Sequence, residues 1–180
     1  MTLTEKEYKT FLWAHLGLLY YVGQQSKIIA GKVSYDNFVY ESKHDKFKCR
    51  EYLHRNWKLL DDYIAAKSDR LTTEEITILS GFKRRISSKF VILKCLTNYA
   101  IFIDTKDDKF YAVKALGDPF YYLVDHFPAV VDATILPFND QIVYDGFIER
   151  SGVYLGPGIR SNLNELYKEA KKRKQILTKF

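Results

Sequence analysis

The sequence predicts an α+β fold. It has a helical N-terminal half, then a mostly antiparallel sheet of five or six strands or a small barrel made from them, then a closing C-terminal helix. Three observations carry this reading. Apolar residues recur at helical spacing as far as about residue 86. From Lys89 the period shortens to two, and β-branched and aromatic residues fill Phe90-Val91-Ile92-Leu93 and Tyr99-Ala100-Ile101-Phe102-Ile103. A helical pattern returns after Gly156-Pro157-Gly158. Helices segregated from strands argue against a doubly wound parallel sheet.

Thr4 and Glu7 form a capping box that opens a first helix over roughly 4–22, with Leu12, Leu16 and Leu19 in register and Gly23 as its end. Its apolar residues lie nearly all round, so it packs inside. Ser34 or Asp36 opens a second helical stretch, and Trp57–Ala66 reads as another with Leu60, Tyr63 and Ile64 inward. Thr72 and Glu75 make a second capping box, whose helix ends near Ile86. The strands are then 89–93, 99–103, 110–113, 130–136 and 141–148, with a short sixth at Val153-Tyr154-Leu155. Asp118 as N-cap and Pro119 at the first helical position start a short helix that Pro128 closes. The last helix spans about Ser161–Ile176, with Leu163, Leu166, Tyr167 and Ala170 inward.

The length of 180 residues suits one compact unit made of a helical segment, 1–88, and a β-rich segment, 89–180. Apolar residues at 47% and aromatics at 16% exclude a disordered chain. The net charge of +6 is unevenly spread: +4 over 1–88, −2 over 89–160 and +4 over 161–180. Such a balance suits nucleic acid or an acidic protein and selects neither. Cys49 and Cys95 are too few for a disulfide framework, which points to a reducing, cytoplasmic compartment. The apolar run Phe11–Val22 is too short to span a bilayer and lacks a basic leader, so neither export nor a membrane partner is expected.

The segments Ile135-Leu136-Pro137-Phe138, Ile142-Val143-Tyr144-Asp145-Gly146 and Gly156-Pro157-Gly158-Ile159-Arg160 together resemble an uncharacterised bacterial protein family. Glu74-Glu75 through Phe82-Lys83 into Lys89–Leu93 is similar to that family's middle section. The resemblance spans roughly residues 30–175. It implies a helical half followed by a β-rich half and implies no activity. The chain departs from the family's glycine-rich turn at Pro157.

Three places can carry chemistry. Gly156, Gly158, Arg160 and Ser161, with Asp145, suggest an anion pocket at the start of the last helix. Glycines let backbone N–H groups converge on an anion, and Arg160 offers a bidentate fork. The plainer reading is that Gly-Pro-Gly ends a strand and Ser161 caps a helix. Two basic clusters, Lys83-Arg84-Arg85 and Lys171-Lys172-Arg173-Lys174, suit phosphates or an acidic partner, or are solvated helix ends. The 14 tyrosines could offer stacking surfaces, although most sit at core spacing. His15, His44, His54 and His126 form no close ligand pair, so no metal is expected. His126 beside Asp125, with Asp132 and Asp145 downstream, is the nearest thing to acid–base machinery.

The expectation is therefore a basic, cytoplasmic, bacterial or phage binding protein without catalysis or cofactor. Its partner would be a protein or nucleic acid reached through basic helix faces. The second expectation is an enzyme or ligand-binding domain for a phosphate- or carboxylate-bearing small molecule at the start of the last helix. A homo-oligomer held by an exposed aromatic patch is the third.

Overall fold

The computed structural model describes residues 2–29, 33–40 and 43–180. The chain divides into two compact units, one made of the residues up to Tyr8 with Gly81–Phe180 and the other Lys9–Ser80. The described residues hold seven α-helices and a six-stranded, mostly antiparallel sheet. The α+β architecture is thus the one the periodicities predict.

The helical unit takes in most of α1 (Glu5–Gln25), α2 (Tyr35–Tyr40), α3 (Lys43–Arg55), α4 (Lys58–Ala66) and most of α5 (Thr73–Gly81). Both capping boxes form. Glu7 N–H donates to Thr4 Oγ1 and Thr4 N–H to Glu7 Oε2, and Thr72 and Glu75 repeat the exchange. Ser34 is the cap of α2, its Oγ accepting the Asn37 N–H. Phe11, Leu18, Leu19, Val22, Phe38, Leu53, Leu60 and Leu79 are buried, so α1 buries much of its apolar girdle, although Trp13 stays 46% exposed. Gly23 does not end α1, which runs on to Gln25. An added Cβ there would lie 2.3 Å from Ile29 and 2.9 Å from Cys49, so close packing demands the glycine. Helix α5 stops at Gly81 rather than near Ile86, and a 3-10 turn, Phe82–Arg84, leads straight into a strand.

That strand is β1 (Ile86–Cys95), followed by β2 (Ala100–Asp104), β3 (Phe110–Lys114), β4 (Ala129–Phe138) and β5 (Gln141–Arg150). The pairings run β1–β2, β2–β3, β3–β5, β5–β4 and β4–β1, so the five strands close into a ring. Only β3–β5 is parallel. The long β1 serves two neighbours, its first part pairing with β4 and its last with β2. Phe90 and Ile92 are fully buried, and Val91 and Leu93 on the opposite face are buried too. Burial on both faces explains the unbroken apolar run. Phe90, Phe102, Phe120 and Tyr144 form a chain of ring contacts 5.1–5.7 Å apart.

The outer face is covered by α7 (Pro157–Lys172), whose Tyr167 and Ala170 pack on Val91, Leu93, Ile101, Ile103, Phe110 and Val130. Four sequence expectations need correction here. The last helix starts at Pro157, not Ser161, because proline's fixed φ suits the first helical turn and Gly156 is the N-cap. Asp118 is not a cap: Pro119 precedes the four-residue α6 (Phe120–Leu123). Val153–Leu155 is not a strand, since the chain leaves the sheet after Arg150 and turns at Gly152 (φ +69°). The sixth strand is Ile176–Leu177, β6, where a helix was expected. Lys174 (φ +55°) ends the helical run, and the tail pairs with Phe110 and Tyr111 of β3.

Candidate binding surface on the barrel

The Tyr-Asp-Gly segment is a bulge in β5. The β4–β5 register jumps between Ala133 and Ile135, which oppose Ile148 and Tyr144. The extra residues are absorbed at Gly146 (φ +92°), a conformation glycine adopts without strain. Asp145 is buried, and its Oδ1 accepts the Phe147 N–H at 3.1 Å. Burial, then the charges of Asp145 and Asp118, raises the Tyr144 phenol well above its ordinary range. The Asp145 carboxylate thus shapes the strand around it.

The start of α7 is organised differently. Gly156 has φ −65° and ψ 168°, open to any residue, and neither Gly156 nor Gly158 has an atom within 4 Å of a would-be Cβ. Ser161 lies within the helix and is exposed. Arg160 turns back: its Nε donates to the Leu155 carbonyl at 2.7 Å and its guanidinium lies 4.8 Å over the Tyr154 ring. Tyr154 in turn faces the His126 ring at 6.2 Å. Asp125, His126, Val130, Arg150 and Tyr154 line a cleft of about 360 Å³, with Arg150 paired to Asp125. The structure therefore joins two segments that the sequence treated separately, Asp125-His126 and Tyr154–Arg160.

The barrel unit also carries side chains that spacing did not single out. Tyr154 is 68% exposed, Tyr121 52% and Tyr122 73%, and the last two meet edge to face at 4.6 Å. Two adjacent tyrosines in a four-residue helix cannot both face one core, and that was the signal to read. Lys94, at the end of β1, donates to Asn164 Oδ1 at 3.0 Å and sits 4.3 Å over Tyr167. Its pKa is lowered, first by burial and then by Lys168 and Lys171, so these cations share one field. Lys171, Lys172, Arg173 and Lys174 are all exposed at the end of α7, with Glu169 3.7 Å from Arg173. Lys83 and Arg84 are exposed on the 3-10 turn, while Arg85 is half-buried.

The thiols do not suit nucleophilic work. Burial, then Asp45, pushes Cys49 up to about 12, and burial pushes Cys95 up to about 11, so both are protonated at neutral pH. Among the described residues no cluster of three His, Cys, Asp or Glu side chains could hold a metal ion, and no helix is long and apolar enough to cross a membrane. Comparison of the chain with protein-family models, with curated proteins and with solved structures finds no match.

Proposed function

We propose that this chain is a non-catalytic, cytoplasmic binding protein whose partner is a single-stranded nucleic acid. The observation that carries the reading is a set of exposed tyrosine faces and cations on one barrel unit: Tyr154 under the Arg160 guanidinium, Tyr121 and Tyr122 exposed, and an exposed Lys171–Lys174 run with Lys94 in the field of Lys171. Aromatic faces stack bases without regard to sequence, and lysines and arginines track the phosphates. The ring order adds support. Strands joined β1–β2–β3–β5–β4, with β3 parallel to β5, have the connectivity of OB-type barrels, which hold oligonucleotides and oligosaccharides. Because fold alone does not imply function, the side chains bear the weight. Here α7 covers the outer face of β1–β2–β3, so the strand would run along α7 and the tyrosine rim.

A second reading has an observation of its own. The cleft of about 360 Å³ could take a small carboxylate or phosphate near Arg150, with Arg160 behind its Tyr154 wall. Against it, Arg150 already pairs with Asp125 and Arg160 Nε with a carbonyl.

Fluorescence anisotropy of short DNA and RNA at about 50 and 200 mM salt separates these readings. Single strands should bind and weaken steeply with salt. Replacing Lys171, Lys172, Arg173 and Lys174 by alanine should flatten the salt slope. Tyr122→Ala should weaken binding at both salts, by about 1–3 kcal/mol. No binding at the lower salt would end the nucleic-acid reading, and stabilisation by phosphate-bearing small molecules would then favour the second.

A further inference from the structure

The helical unit has a cleft of its own, about 430 Å³, within the ~300–1,000 Å³ typical of small-ligand sites. Its walls are aromatic. Trp13 from α1 stands 6.1 Å from the Tyr35 ring of α2, and Tyr63 from α4 lies against the backbone of α1. Tyr63 comes so close because residue 17 is glycine: a Cβ there would be 2.4 Å from the Tyr63 hydroxyl. Trp13 is 46% exposed, although an indole has a large apolar face to cover. Tyr20, Tyr21, Gln24 and Leu71 complete the walls, and the charged lining is Lys67, Arg70 and Glu75.

The charges decide what the walls receive. Aromatic faces alone would suit either a flat ring or an organic cation. Lys67 has no ion-pair partner among the described residues, and Arg70 only a 3.8 Å contact with its neighbour Asp69. The one lining carboxylate, Glu75, already accepts two hydrogen bonds from Thr72 at 2.8 Å through Oε2. Two cations facing one engaged carboxylate disfavour a cationic guest and favour an anionic one. A ligand that satisfies both parts of the site has a planar ring and a phosphate.

We propose that this cleft binds a nucleoside phosphate, its base against Trp13 and Tyr35 and its phosphate toward Lys67 and Arg70. Glu75 is placed to accept a donor from the base or the sugar. The same chemistry comes from a free nucleotide or from the 5′-terminal nucleotide of a strand. The site shares no residue with the barrel surface and stands independently of that reading.

Trp13 is itself the reporter. The chain has two tryptophans, so Trp57→Phe leaves Trp13 as the single indole. In that protein AMP, adenosine, inorganic phosphate and a 5′-phosphorylated hexanucleotide are titrated while tryptophan emission is followed. A saturable change with AMP is expected, with adenosine or phosphate alone at least about tenfold weaker. Replacing Lys67 and Arg70 together by alanine should weaken AMP at least about tenfold without lowering the melting temperature. Alanine at Lys171, Lys172, Arg173 and Lys174 should leave the AMP response unchanged. If the hexanucleotide binds more tightly than AMP, the source is a strand end; if more weakly, a free nucleotide. No saturable change with AMP or the hexanucleotide up to about 10 mM overturns the proposal. So does equal affinity for adenosine and AMP, or an AMP affinity indifferent to Lys67 and Arg70.

Discussion

The helical unit and the barrel use glycine for opposite reasons. In α1, Gly17 and Gly23 have ordinary helical backbone, but a side chain at either would collide with Tyr63 or with Ile29 and Cys49. In β5, Gly146 has room, its nearest would-be neighbour being Leu116 at 3.5 Å, but its φ of +92° excludes most other residues. The buried polar groups differ as well. The barrel buries Asp104 and Asp145, each accepting hydrogen bonds, from Ser88 Oγ and Lys106 N–H or from Phe147 N–H. The helical unit buries the His15 imidazole near Arg50, which is buried too. Contact determines the permitted residue at Gly17 and Gly23, and backbone conformation at Gly146.

The largest expected effect tests the buried imidazole. Burial, then the charge of Arg50, lowers the His15 pKa from 6.5 to about 4. The folded value lies below the unfolded one, so the unfolded chain takes up the proton first. Stability is therefore full above about pH 6.5 and falls as the pH drops toward 4, by at most about 3 kcal/mol. Urea midpoints measured across that window should show the decline, and His15→Gln should remove most of it. A flat wild-type profile would mean that the ring keeps access to water and that the helical interior is looser than its packing.

Gly23→Ala comes next, at about 2 kcal/mol of destabilisation, because the overpacking cost exceeds the gain in helix propensity. The sharper form is a double-mutant cycle with Ile29→Ala, which removes the two nearest colliding atoms, leaves Cys49 Sγ at 2.9 Å and should recover part of the loss. Independent effects of the two changes would break the claim that contact explains this glycine.

Much of the fold was legible because periodicity reports burial. The two capping boxes and the change of period near residue 89 follow from local chemistry that the tertiary structure left intact. The misreadings fall where one residue type has several physical causes. Gly23 looked like a helix end, because a sequence shows that glycine is permitted and not what permits it. Val153-Tyr154-Leu155 has a strand's composition and no strand to pair with, while Ile176–Leu177 is too short to have a period at all. Of the candidate surface, Arg160 and the α7 cations could be read directly. The exposure of Tyr121 and Tyr122 could be read from two adjacent tyrosines in a short helix, whereas the contact of Lys94 with Tyr167 could not, because it depends on α7 packing on β1.

For Gly146→Ala the expected loss is about 1 kcal/mol: backbone strain at positive φ, partly offset by a less flexible unfolded chain. Contact is not its cause, so Leu116→Ala should add its own cost without relieving the strain. Coupling between these two sites near zero, against clear coupling between Gly23 and Ile29, would turn the contrast between the units into a measured one.

The smallest effect is at Gly158. Its position in the first turn of α7 leaves open space where a Cβ would go, so Gly158→Ala should be neutral or stabilising by up to about 0.5 kcal/mol. The prediction matters more for function than for stability. If the turn is ordinary helix initiation, with Pro157 at the first position and Gly156 as cap, the alanine protein keeps its affinity for nucleic acid and still has none for inorganic phosphate. If the variant instead loses a phosphate affinity that the wild type possesses, backbone N–H groups at this turn are holding the anion. The start of α7 and the neighbouring cleft at Arg150 would then be the stronger candidate for a binding site on the barrel than the exposed tyrosines.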